Sequence, residues 1–125
     1  MEKTEALNFL NDVPHVDKGT VDMLLMHSGG EQSIIQEIYE AFFSDADQMV
    51  ADINQSVGSQ QEDELRQQAH SLSGVAGSVG ALQLKEIARI IENSLKAGNS
   101  SLAFELAPKV PEIYTAFKKE LNNYI

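Results

Sequence analysis

The residue best placed to do chemistry in this chain is His70, within Arg66-Gln67-Gln68-Ala69-His70-Ser71-Leu72-Ser73-Gly74-Val75-Ala76-Gly77-Ser78-Val79-Gly80-Ala81. A neutral imidazole is a competent nitrogen nucleophile at neutral pH, and a phosphoryl group brought in line by another protein is a group it can accept. On a helix turning by about 100° per residue, the apolar stripe Leu65, Ala69, Leu72, Ala76 and Val79 spans an arc of roughly 80°. His70 then lies about 140° from Leu65, facing solvent. Asp63, Arg66, Gln67, Gly74 and Gly77 fall on the same outer face, and the two glycines leave it bare one and two turns beyond the imidazole. Each mid-helix glycine costs about 0.5–1 kcal/mol relative to alanine, so the pair calls for a reason, and close approach by a partner is one. On these residues alone two readings stand. His70 is a phosphoryl acceptor, or it is an ordinary surface histidine and the glycines serve helix packing.

Other chemistry finds little support. His15, His27 and His70 are too scattered for a metal motif, and His15 beside Pro14 and His27 at a helix end read as surface residues, so no metal is expected. With no cysteine, thiolate zinc sites, disulfides and a cysteine nucleophile are excluded. Gly74, Gly77 and Gly80 do not have phosphate-loop spacing and follow no strand, and no G-x-S-x-G elbow surrounds Ser71, Ser73 or Ser78. Met23, Met26 and Met49 read as core filling rather than a cofactor box. No acid–base pair sits in a nameable motif, so the chain is expected to need no cofactor and to perform no turnover alone.

Nineteen acidic against nine basic residues give a formal charge of -10, which opposes binding to nucleic acid or anionic lipid and leaves protein partners. The N-terminus has no basic stretch leading into an apolar run, and no segment is long and apolar enough to span a bilayer. The expectation is a cytoplasmic, soluble, monomeric protein of one domain over residues 1–125, a length able to bury a core without metal or disulfide.

The elements that must hold His70 are helices. A weak start over Glu5–Asn11 breaks at Pro14, and Val21–Met26 is a short helix closed by Ser28-Gly29-Gly30. Ile35, Ile38, Phe42, Ala46, Met49, Ile53 and Val57 then predict a long helix ending at Gly58. Ser59-Gln60-Gln61-Glu62 has capping-box form and should start the helix bearing His70, with a turn or bend at Gly80. Leu84, Ile87, Ala88, Ile91 and Leu95 predict the next, stopped by Lys96-Ala97-Gly98; Leu102, Leu106, Val110, Ile113, Phe117 and Leu121 predict the last, kinked or split by Pro108 and Pro111. No alternating strand pattern competes. The fold class is all-α, an antiparallel four-helix bundle with a short additional N-terminal helix.

The stretch Ala69–Ala81, followed by Leu84 and Ile90-Ile91-Glu92, resembles the signature of histidine-containing phosphotransfer domains, in which a histidine precedes leucine, lysine and glycine and then a glycine–alanine pair. A looser resemblance covers Val21–Asp47, with its Gly-Gly turn and Phe42-Phe43, so that about 17–121 is spanned. The resemblance implies a four-helix bundle whose His70 is phosphorylated on Nε2 and docks to the receiver domain of a response regulator, with a hybrid sensor histidine kinase as the other partner. It gives Gly74 the place that leaves room for the incoming site and Gln67 a position that can orient the ring. One departure stands out: where the family usually carries lysine, this chain has Ser73, which can hydrogen-bond a phosphoryl oxygen but not neutralise it. Arg66, one turn before His70, has two readings, a substitute cation for the phosphoryl group or a solvated surface residue pairing with Glu62 or Asp63, and Ser73 motivates the alternative of a receiver-binding adaptor or scaffold with weakened or lost transfer.

Overall fold

Glycine at position 80 adopts φ +79, a left-handed conformation that reverses the chain between the two helices forming the candidate face. The computed structural model describes residues 1–125 and contains helices α1 (Lys3–Asn11), α2 (Lys18–His27), α3 (Gln32–Ser59), α4 (Glu62–Ser78), α5 (Leu82–Lys96), α6 (Ser100–Leu106) and α7 (Val110–Leu121), with a 3-10 turn over Ala107–Lys109. Helices α3, α4, α5 and the bent rod α6–α7 form the four-helix bundle. Pro108 and Pro111 fall in and just after the 3-10 turn, where each missing N–H does least damage. Two short helices, α1 and α2, precede the bundle. Asp17 caps α2 by accepting from Gly19 N at 3.1 Å.

The α3–α4 junction is built differently from the capping box expected there. Helix α3 runs through Gly58 to Ser59, whose hydroxyl donates back to Gln55 O at 2.9 Å. Gln60 takes the left-handed conformation (φ 56), and the Gln61 N–H closes the end on Ser56 O at 3.0 Å. Gln61 precedes α4 without a side-chain cap, and Glu62, Asp63 and Glu64 set negative charge against the N-terminal end of the helix dipole.

One core holds all the elements. Leu65, Ala69, Leu72 and Ala76 are fully buried along α4, as their spacing predicts, against Leu84, Ile87, Ala88 and Ile91 of α5. Along α3 the buried line is Ile35, Tyr39, Phe42, Ala46, Val50, Ile53 and Ser56; Ile38, Met49 and Val57 from the expected stripe are only partly buried. Polar anchors account for part of that rotation. Tyr39 donates from its hydroxyl to Val79 O at 2.8 Å, and Ser56 donates to Gln68 Oε1 at 2.8 Å. Burial pushes the Tyr39 phenol up to about 12, so it stays a neutral donor. Met23 and Met26 are exposed rather than core filling, because α2 covers only the end of the bundle and buries Val21 alone.

The α4–α5 turn is pinned by the N-terminal segment. Asp17 N donates to Gly80 O at 2.8 Å, Leu82 N to His15 O at 3.0 Å, and the Gln83 amide to Leu10 O and Val13 O at 2.8 and 2.9 Å. With the turn fixed, the register of α4 against α5 is fixed, and that register decides what stands opposite His70.

Candidate functional site

His70 projects from the middle of α4 with its side chain 73% exposed, on the face opposite the apolar stripe. It is not free. Its Nδ1 lies 2.8 Å from Oε2 of Glu92 on α5, a carboxylate only 7% exposed as a residue. The same Oε2 receives Lys96 Nζ at 3.0 Å from one turn further along α5. Burial works against the charge on Glu92, but the hydrogen bonds from Lys96 and His70 outweigh it and hold the carboxyl below its usual range. An ionised carboxylate is acceptor-only, so Nδ1 must carry the proton, and the Nε2 lone pair is left unpaired on an exposed edge of the ring.

The remaining residues expected at the site separate into two groups. Gly74 is exposed, and a Cβ added there would meet nothing within 4 Å, so the surface one turn beyond His70 is open. Asp63 is exposed in the first turn of α4, and Arg66 is half-buried one turn before His70 without forming an ion pair. Gln67 is exposed on the same helix, while Ser73 is buried and Gly77 is partly covered by Lys85.

Gln67 lines a shallow cleft between α3 and α4 with Met49, Asp52, Gln68 and Ser71, whereas the bond that orients the ring comes from α5. Ser73, three residues after His70 and about 60° round, is buried toward α5, with its hydroxyl donating to Lys85 O at 3.4 Å. It is therefore not presented to a group on the exposed nitrogen. Gly77 is bare of its own side chain but not open, because the Lys85 stem from α5 lies over it, with Cδ 3.3 Å from where a Cβ would be. Its lack of a side chain serves the α4–α5 contact, one of the two readings the sequence left standing; Gly74 fits the other.

Glu92, Lys96 and Lys85 were absent from the residues singled out for chemistry. A signal for Glu92 exists in the row Leu84, Ala88, Glu92 at four-residue spacing, where a carboxylate interrupts an otherwise apolar line. Nothing in the sequence pairs it with His70, which is 22 residues away along the chain. Elsewhere, His27 is exposed, while His15 is half-buried beside the α4–α5 turn with Nδ1 enclosed and unpartnered, rather than the surface residue expected.

The arrangement is one exposed imidazole, its inner nitrogen anchored to a buried carboxylate and its outer nitrogen open beside a bare glycine. A family model described as the Hpt domain matches residues 37–123. No curated protein matches the chain. Among solved structures, histidine-containing phosphotransfer protein B of Pseudomonas aeruginosa PAO1 is similar with a TM-score of 0.73 and 21% identity, covering 90% of this chain and 98% of that one. A histidine-containing phosphotransfer protein of Medicago truncatula gives 0.76 and 19%, covering 96% and 82%. The phosphotransfer domain of a sensor hybrid histidine kinase from Shewanella gives 0.57 and 18%, covering 86% and 97%. At these identities the structures speak for the fold; the family match over most of the helical bundle speaks for more, and the chain belongs to the Hpt domain family, the histidine phosphotransfer intermediates of phosphorelays.

Proposed function

We propose that His70 is the phosphoryl acceptor and that Nε2 is the accepting atom. The observation that carries this is the asymmetry of the ring: Nδ1 is held 2.8 Å from a buried carboxylate while Nε2 is unpaired on a largely exposed side chain. In the step this supports, the Nε2 lone pair attacks the phosphorus of a receiver-domain aspartyl phosphate. The N–P bond forms as the P–O bond to the aspartate breaks, and the aspartate leaves as a carboxylate. Nδ1 keeps its proton, so positive charge develops on the imidazole, against the negative charge of Glu92. Gly74 gives the receiver room to bring its phosphoryl group in line, and Asp63 and Arg66 lie on the rim of the same face. The reverse step passes the group to a second receiver.

The reading is of a carrier that acts only with a partner, as one domain over 1–125, as a monomer, in the cytoplasm. Receiver domains and hybrid histidine kinases are the partners of the family, and the charge of -10 again favours proteins over nucleic acid or membrane. The test is incubation with a phosphorylated receiver domain. An acid-labile, base-stable label should appear on the wild-type chain and be absent from His70→Gln, with helical content kept. A label retained in that variant would place the acceptor elsewhere. Receiver binding with no label on the wild type would favour an adaptor.

A further inference from the structure

A phosphoryl group on His70 would carry about -1.5 to -2 charges at neutral pH, and α4 offers no cation directed at it from position 73, because Ser73 is turned into α5. Four basic side chains stand on this side of the bundle. Arg66 lies one turn back on α4; Lys85 is laid over Gly77, two turns ahead; Arg89 reaches Glu86 at 3.6 Å. Only Lys96 is tied to the imidazole by observed bonds. Its Nζ and the His70 Nδ1 meet on one atom, Oε2 of Glu92, at 3.0 and 2.8 Å.

Resting on the reading of His70 as acceptor, we propose that Lys96 is the cation that neutralises the phosphoryl group, held beside the ring by Glu92 until that group arrives. The Lys96 side chain is 55% exposed on a flexible four-carbon stem and carries three donors. It can keep one N–H on Glu92 and turn another toward a phosphoryl oxygen. Glu92 then has two tasks: it holds the Nδ1 proton, and it fixes an ammonium beside the ring. No proton changes hands in this rearrangement, and the only covalent changes are the N–P bond formed and the donor's bond broken. Lys96 thus supplies from α5 a charge that α4, with serine at position 73, does not supply.

The test uses the full chain loaded with phosphoramidate, a small-molecule donor that places its phosphoryl group on histidine as ammonia leaves, read by phosphorus NMR across a pH titration. The resonance missing from His70→Gln identifies the group on His70. A cation beside the group favours its dianion, so Lys96→Gln should move the midpoint of its second ionisation upward by about half a pH unit, and Lys96→Arg should stay near wild type. The equilibrium share of label taken from a phosphorylated receiver should fall about threefold in Lys96→Gln and stay near wild type in Lys96→Arg. A Lys96 that only steadied Glu92 would slow loading without moving the midpoint. Identical midpoints in wild type and Lys96→Gln therefore overturn the proposal. A resonance that persists unchanged in His70→Gln would remove the acceptor itself, and the proposal with it.

Discussion

Replacing Glu92 separates an oriented, electrostatically supported imidazole from one that is merely exposed. In the structure the carboxylate is buried, bonded to Nδ1 at 2.8 Å and to Lys96 at 3.0 Å. A hydrogen bond to a charged group contributes about 1.5–3 kcal/mol and a neutral one about 0.5–1.5. The His70 side chain is 73% exposed, so water screens much of the difference and about 1 kcal/mol remains. Glu92→Gln keeps an acceptor for Nδ1 but loses the charge that opposes the developing imidazolium, so single-turnover transfer from a phosphorylated receiver should slow by about fivefold. Glu92→Ala also frees the ring and leaves Lys96 without its anchor, and the loss should reach about tenfold or more. Both variants should keep their helical content, because the α4–α5 contact rests on Leu65, Leu72, Leu84, Ile87 and Ile91. The assay is rapid-quench transfer at saturating receiver, with circular dichroism as the control for folding. Transfer by Glu92→Ala at the wild-type rate would refute the view that this carboxylate prepares the histidine.

Three further outcomes follow from the same geometry. Gly74→Leu should fold at least as well as wild type, since a Cβ there meets nothing and the helix gains propensity, while receiver affinity measured by calorimetry falls by steric obstruction; unchanged affinity would mean the partner does not approach there. Gly77→Ala should alter thermal stability little or raise it by up to about 1 kcal/mol, because the new methyl only displaces the flexible Lys85 stem while the helix gains propensity; a clear destabilisation would show that the lysine cannot move. Glu92 is held below its ordinary value of 4.5, so its contribution to stability is present above that pH and is lost as pH falls through the depressed value; the acid-unfolding profile of Glu92→Gln should lack that component, and superimposable profiles would refute it.

The all-helical class, the positions of most helices and the outward direction of His70 follow from the sequence, because helical periodicity is a local property: Leu65, Ala69, Leu72 and Ala76 define the buried face of α4 without reference to any other element. The proline interruption after α6 and the reversal at Gly80 are local for the same reason. The capping box at Ser59 failed because side-chain and backbone closures compete at a helix end, and there Gln60 in the left-handed conformation let α3 continue to Ser59. Tertiary structure decided everything that depends on a second helix. Whether a glycine is open or filled is invisible in Gly74 and Gly77 taken alone, and differs only because Lys85 crosses one and not the other. Whether Ser73 faces solvent or a neighbour depends on where α5 lies. Glu92 reads in one dimension as a charge at the edge of an apolar row, and becomes the partner of His70 only when the pinned turn at Gly80 sets α5 antiparallel to α4 in one register. The proposed acceptor was legible because one residue type on one face suffices to suggest it; the carboxylate beside it was not, because a hydrogen bond between helices is a property of their register, which no single helix encodes.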